Sequence, residues 1–280
     1  MAAVTVGGEQ LLFVRQLVQR KTAIVLGEDK GYLVDSRLSS LARDLGHADA
    51  TTMLDHLKKK PDLALEQRVL EAMTTNETLW FRDRAPFEAL RQHVLPELAR
   101  SGAGARQLRI WSAACSSGQE IYSIALLLEE QFADRFAAWK VDLAGTDFSA
   151  EMVKKASEGL YSTLEVNRGL PAASLVRHFD REGANWRLKP SIRGRARFWK
   201  MNLAEPWAPM PLWDIVLLRN VLIYFDMPTK ERVLRAASRQ MAPGGYLLLG
   251  GAETAVGICP ELVPEKIGDA TFYRLEGREK

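Results

Sequence analysis

The sequence predicts a doubly wound α/β sheet with an antiparallel edge, preceded by a small helical domain. Three observations carry this. Leu108-Arg-Ile-Trp-Ser-Ala-Ala-Cys-Ser-Ser-Gly118, running into Gln119-Glu-Ile-Tyr-Ser-Ile-Ala-Leu-Leu-Leu128, reads as a buried strand, a tight turn of small residues and a long helix. Strands and helices then alternate. Near the end, residues 262–267, the turn Gly268-Asp269 and residues 271–275 give a β-hairpin signal.

The N-terminal third is helical by spacing. Residues 10–25 place Leu11, Leu12, Val14, Leu17, Val18 and Val25 on one stripe, and Gly27 to Gly31 is a turn. Residues 32–45 form a second helix, which Gly46 closes as a C-terminal cap. Residues 50–57 and 62–73 complete a four-helix bundle, with Lys58-Lys-Lys-Pro61 between them. Arg37, Arg43 and Lys58–Lys60 suit either a solvated charged face or an acidic partner. The lysine run also sits at a helix end, where cations are favourable.

Composition narrows the function classes. At 280 residues and 47% hydrophobic, the chain can bury one large core and a satellite. A net charge of only +3 does not argue for nucleic acid. Two cysteines, Cys115 and Cys259, are too few for a disulfide scaffold and suit a reducing cytosol. No apolar run has membrane-spanning length and no signal-peptide pattern is visible, so a cytoplasmic protein is expected.

Met73-Thr-Thr-Asn-Glu-Thr-Leu-Trp-Phe-Arg-Asp83 breaks the helical pattern. Its polar residues suit a cap for the following helix (Pro86, Phe87, Leu90, Val94, Leu95), with Thr78 or Asp83 as the capping side chain. Residues 140–147 read as a second parallel strand ending in Asp147, with Ser149 capping helix 150–158. A carboxylate at that strand tip suits ribose hydroxyls, or simply helix entry. Residues 160–195 interrupt the alternation: Arg168-Gly-Leu-Pro171, a helix over 172–179, and short strands at 186–189 and 191–195. Strand 196–203 follows, then Trp213 to Asp226, an apolar strand running into Arg219, Asn220 and Tyr224. Helix 228–241, a turn at Pro243-Gly-Gly245 and strand 246–249 lead to the hairpin.

Four of these stretches carry a family resemblance: Thr74-Thr-Asn-Glu-Thr-Leu-Trp-Phe-Arg82, Trp111 to Ala125, Gly145-Thr-Asp147, and Arg219-Asn-Val-Leu-Ile-Tyr-Phe-Asp226. With the hairpin, they resemble a class I S-adenosylmethionine-dependent methyltransferase, and more narrowly the CheR chemotaxis receptor methyltransferases. The resemblance implies a Rossmann-like sheet with an antiparallel C-terminal hairpin, a small N-terminal helical domain and an inserted β-subdomain. It divides the chain into a helical domain (1–73), a linker contributing to the cofactor pocket (74–105) and a cofactor-binding domain (106–280), with the insertion at 160–195. The sequence departs mildly from the family at Gln119, where a second acid is commoner, and at Cys115.

By the same resemblance, S-adenosylmethionine would lie against Asn76, Thr78, Arg82, Glu120, Asp147, Asn202, Leu203, Arg219 and Asn220. Asp147 would take the ribose, Asn202 and Leu203 the adenine edge, and Glu120, Arg219 and Asn220 the amino-acid end. Asn76 and Thr78 would close the pocket. Arg82 and Tyr224 would act at the reacting centre. The implied reaction methylates receptor glutamates, yielding methyl esters and S-adenosylhomocysteine, without a metal. The implied partner is the cytoplasmic helical domain of methyl-accepting chemotaxis receptors. The enzyme would be a monomer, recruited to membrane receptor arrays without entering the bilayer. A methyltransferase for another acceptor and a catalytically silent, cofactor-gated adaptor are the rivals. Asn-Pro-Pro-Tyr, expected for amine-directed base methylation, is absent from the 219–226 stretch. His47, His56, His93 and His178 lack metal-ligand spacing.

Overall fold

The computed structural model describes residues 6–102 and 104–275. It separates into two compact units, each described by itself: one runs through Thr75 and includes Tyr224–Thr229, the other holds Asn76–Ile223 and the residues from Lys230 on.

The first unit contains α1 (Gly8–Thr22), α2 (Gly31–Asp44), α3 (Ala50–Lys59) and α4 (Leu63–Met73). Each buries the stripe its spacing predicts: Val14, Leu17 and Val18 from α1, Val34, Leu38 and Leu41 from α2, Met53 and Leu54 from α3, and Leu65, Val69 and Leu70 from α4. Asp49 and Asp62 accept backbone N–H bonds as N-caps of α3 and α4. Gly46 has φ +77°, the left-handed conformation expected of it. Two cations considered for steering have partners of their own. Arg37 donates to the carbonyls of Ala72 and Thr74 and to Thr75 Oγ1, closing the end of α4. Lys58 pairs with Glu9.

The second unit opens with α5 (Ala85–Ala89), a π-helical turn over Leu90–Val94, and α6 (Leu95–Ser101). The expected side-chain cap of this helix is not there. Arg84 occupies the cap position and no side chain bonds the first turn, because the Asp83 carboxylate is taken by Arg219. Next come β1 (Gln107–Ala113), α7 (Gln119–Phe136), β2 (Lys140–Asp147) and α8 (Ala150–Glu158).

The insertion contains β3 (Leu160–Ser162), α9 (Thr163–Val166), α10 (Ala172–His178), β4 (Phe179–Glu182), β5 (Asn185–Leu188) and α11 (Pro190–Arg193). Its strands form a separate sheet in the order β3-β5-β4. Residues 191–195 are not a strand as expected: Pro190 sits in the first turn of a short helix, where its fixed φ is favourable and no N–H is lost.

The main sheet is completed by β6 (Ala196–Lys200), β7 (Trp213–Leu218), β8 (Met241–Leu249), β9 (Leu262–Ile267) and β10 (Ala270–Leu275), with α12 (Met227–Arg239) before β8. The strand order is β6-β2-β1-β7-β8-β10-β9. Strands β6, β2, β1, β7 and β8 are mutually parallel and β10 is antiparallel to both neighbours. This is the α/β methyltransferase fold. Pro243-Gly-Gly245 is not a turn before a strand but a bulge inside β8. Pairing jumps from Trp213↔Met241 to Ile215↔Tyr246. A Cβ on Gly245 would lie 2.9–3.1 Å from three carbonyl oxygens, so only glycine fits there. Among the described residues, no helix is long and apolar enough to cross a membrane.

Candidate active site

The carboxyl ends of β1, β2 and β7 adjoin in the sheet, and the residues leaving them build the site. After β1 the chain turns through Ala114 (φ +58°), Ser116 (φ +50°) and Gly118 (φ +90°), three left-handed residues in five. Small side chains let that backbone turn tightly and pack close to its neighbours. A Cβ on Gly118 would lie 2.9 Å from Ala156 Cβ, so the turn could not sit this close to α8 with a larger residue. The loop is pinned from several sides. Cys115 N–H donates to the Thr146 carbonyl at 2.8 Å, and Tyr161 OH to the Ser117 carbonyl at 2.8 Å.

Asp147 stands where β2 ends, 6% exposed. Its Oδ2 accepts Ser116 N–H at 2.8 Å and its Oδ1 accepts Ser149 N–H at 2.9 Å. Those two bonds fix the orientation of the carboxylate between the loop and α8. Ser149 also caps α8, as expected. Beyond β6, Asn202 Oδ1 accepts Ala204 N–H and its Nδ2 donates to Glu205. Leu203 is buried beside it, and Met201 N–H donates to the Asp147 carbonyl at 2.8 Å.

Arg219, the first residue after β7, gathers the rest. Its Nη1 donates to Glu120 Oε2 at 2.7 Å, while its Nη2 donates to Asp83 Oδ2 at 2.7 Å and to the Arg82 carbonyl at 3.0 Å. Glu120, in the first turn of α7, also accepts Ser112 Oγ–H at 2.8 Å. The side chain of Arg219 is 1% exposed, and its Nε–H has no acceptor among the described residues.

The segment from Asn76 to Arg84 is strapped across these loops. Ser116 Oγ–H donates to the Asn76 carbonyl at 2.7 Å, Phe81 N–H to Ser123 Oγ at 3.0 Å, and Trp80 N–H to the Arg168 carbonyl at 3.1 Å. Trp80 is fully buried against Tyr161 and Phe179. Gly169 is required beneath it: with φ +95°, its Cβ would fall 2.1 Å from the Trp80 carbonyl oxygen. Phe81, Asp83 and Arg84 all have positive φ, strain that persists only because the surroundings hold it. Arg82 is half-buried, and its Nη1 donates to the Glu77 carbonyl at 3.1 Å. Arg168 holds the Glu77 carboxylate below the usual range.

These contacts join Arg82, Glu120 and Arg219 directly. Asn76 and Asp147 meet through Ser116, and Asn220 follows Arg219 with φ +58°. Thr78 is half-buried in the strap. Tyr224 belongs to the helical unit, where its carbonyl accepts Val25 N–H at 2.8 Å and Phe225 bridges Ile24. Sequence reasoning missed Ser112, Ser116 and Asp83 as site residues. Asp83 had one available signal, its place beside Arg82. Gln119 is buried and accepts a bond from Ser117 Oγ–H, so the amide serves the loop's own packing.

Burial pushes the Cys115 thiol well above its ordinary range, and the nearby Asp147 and Glu120 charges push the same way. Cys115 is therefore expected to stay unlabelled by iodoacetamide at pH 7.5 until the protein is unfolded. Mass spectrometry showing native-state modification at this position would contradict that. Among the described residues no three His, Cys, Asp or Glu side chains group so as to hold a metal.

Comparison with known families decides the relationship. Residues 76–261 match the CheR methyltransferase SAM-binding domain, and residues 9–74 match the CheR methyltransferase all-alpha domain. The chain belongs to the CheR methyltransferase family. Chemotaxis protein methyltransferase Cher2 of Pseudomonas putida is 41% identical over 247 residues, covering 87% of this chain and 90% of that protein. Chemotaxis protein methyltransferase 1 of Pseudomonas aeruginosa is 43% identical over 242 residues, covering 85% and 88%. A chemotaxis protein methyltransferase of Vibrio parahaemolyticus is 36% identical and covers 99% of this chain and 100% of its own length. Membership of the CheR family makes this chain a methyltransferase with an S-adenosylmethionine-binding domain, and the arginine-centred site lies within that domain.

Proposed function

We propose that this CheR family member transfers the methyl group of S-adenosylmethionine to glutamate side chains of chemotaxis receptors. The observation that carries the proposal is Arg219, buried at the carboxyl end of β7 and joining Glu120, Asp83 and the Arg82 backbone. The residues suit the cofactor. Arg219 keeps a buried Nε–H without an acceptor among the described residues. The left-handed turn between β1 and α7 lets a ligand approach its backbone, and the Asp147 carboxylate is oriented at the end of β2. Asp147 would hold the ribose, Asn202 and Leu203 the adenine, and Glu120, Arg219 and Asn220 the amino-acid end. Asn76 and Thr78 would cover the pocket from the strap.

When bound, the cofactor supplies a methyl group activated by its positive sulfonium. The chain's own residues need not supply a base, because a glutamate with a pKa of about 4.3 is an anion at neutral pH. Donor and acceptor charges cancel as the bond forms, so strong stabilisation of either one would slow the reaction. Alignment and exclusion of water are what the protein contributes. Arg82 is assigned to hold the acceptor carboxylate. Among the described residues its guanidinium makes one hydrogen bond, to Glu77, which leaves donors for an anion. Tyr224 is assigned to orient the same carboxylate, on the strength of its place in the 219–226 motif. In the cell the enzyme would be cytoplasmic and recruited to receptor arrays.

The test is to incubate the protein with radiolabelled S-adenosylmethionine and receptor-bearing membranes, then treat with mild alkali. Volatile radioactive methanol is expected, the signature of a carboxyl methyl ester. Alkali-stable label would mean a different acceptor. Absence of label from a protein that still retains S-adenosylhomocysteine would mean an adaptor.

A further inference from the structure

We infer that Glu253, on the loop after β8, is a positioning residue that sets the Arg219–Asn220 pair. This inference deepens the proposal above and rests on it. Asn220 leaves β7 with φ +58°, a conformation that an L side chain rarely adopts and that its surroundings must hold. The holding group is one carboxylate. Glu253 Oε2 accepts Asn220 N–H and Gly250 N–H, each at 2.7 Å. Its Oε1 accepts Leu222 N–H at 2.7 Å and Ile223 N–H at 3.3 Å. Four backbone donors from the ends of β7 and β8 thus converge on a single side chain. Successive N–H groups in such a turn form a concavity that attracts an anion, and here the protein fills it with its own.

The chemistry admits little substitution. A glutamine offers one carbonyl oxygen, and its NH2 group would face backbone donors instead of accepting from them. Gly250 is shaped to the same arrangement. A Cβ there would lie 2.7 Å from both Asn220 Nδ2 and Glu253 Oε2, and 2.9 Å from Asn220 N. Glu253 makes no bond to Arg219. It acts by fixing the turn on which Asn220 sits and from which Arg219 departs. This also explains the acid in Gly250-Gly-Ala-Glu253, which sequence reasoning left without a role.

The experiment compares full-length wild type, Glu253→Gln, Asn220→Ala and the double variant by calorimetry with S-adenosylhomocysteine. Hydrogen–deuterium exchange of the free proteins accompanies it. Glu253→Gln is expected to weaken binding about tenfold or more, the scale of losing one charge-assisted hydrogen bond. The double variant should lose less than the sum of the two single losses, because both changes act through one turn. Exchange should rise in peptides covering 219–225 while peptides from α7 stay protected. Should Glu253→Gln fail to fold, Glu253→Asp, which keeps the charge but shortens the reach to the four N–H groups, carries the same expectations. Wild-type affinity in a folded Glu253→Gln variant, or additive losses in the double variant, would overturn this inference alone. Failure of the wild type itself to retain S-adenosylhomocysteine would overturn the cofactor assignment and this inference with it.

Discussion

Replacing Arg219 by alanine is expected to cost both stability and the ability to retain S-adenosylhomocysteine, for separable reasons. The guanidinium is buried and neutralises two carboxylates of unequal exposure: the side chain of Glu120 is 12% exposed and that of Asp83 48%. Asp83 can rehydrate, so its share is about 1 kcal/mol or less. Glu120 cannot, and stranding a buried carboxylate typically costs about 3–5 kcal/mol. A loss of about 3 kcal/mol in urea denaturation is the expected result. Adding Glu120→Gln should return most of that stability, since the stranded charge is gone. It should not restore ligand affinity, because the cation is still missing. Arg219→Lys should fall between them. An ammonium keeps the charge but cannot reach three acceptors lying on a planar fork. Recovery of S-adenosylhomocysteine binding in the Glu120→Gln, Arg219→Ala double variant would remove Arg219 from the binding site and leave it a purely structural residue.

Arg82→Ala is expected to behave differently. Among the described residues its side chain makes one bond, to a backbone carbonyl, so the fold should lose little and S-adenosylhomocysteine should still bind through Arg219 and Asp147. Turnover should fall. What Arg82 supplies is alignment of the acceptor carboxylate, and losing it should cost roughly 100-fold in kcat/KM toward receptor membranes. The pH profile of the wild type bears on the same assignment. The acceptor glutamate is ionised well below neutrality, so the rate should be level between about pH 6 and 8. A base titrating in that window would show that a proton must be removed, and would contradict the assignment of Arg82 and Tyr224 to holding and orienting the carboxylate.

Much of this molecule was legible because its determinants are local. Val14, Leu17 and Val18 recur at the period of one helix face, and α1 follows from that alone. The small residues of 113–118, Asp147 at a strand end and the Gly268-Asp269 turn each announce a backbone event within a few positions. Two misreadings share one cause, a partner far away in the sequence. Asp83 was one of two residues, with Thr78, expected to cap the following helix, yet its carboxylate is held by Arg219, 136 residues away. Pro243-Gly-Gly245 looks like any turn until β7 is laid beside it, and only then does the register jump make it a bulge. Residues 191–195 are the exception: the signal was local, Pro190, which opens a short helix there.

By itself, then, the sequence determined most of the helices and strands, the faces the N-terminal helices bury, and the motifs that relate it to the CheR methyltransferases. Only the tertiary structure decided that Glu120, Asp83 and Arg219 form one buried cluster, and that Glu253 closes the turn around Asn220. Spacing along the chain encodes contacts made within a turn or two of helix or strand. Which carboxylate meets which donor across 33 or 136 residues depends on the order in which strands pair, because that order sets which loops come together at the carboxyl end of the sheet.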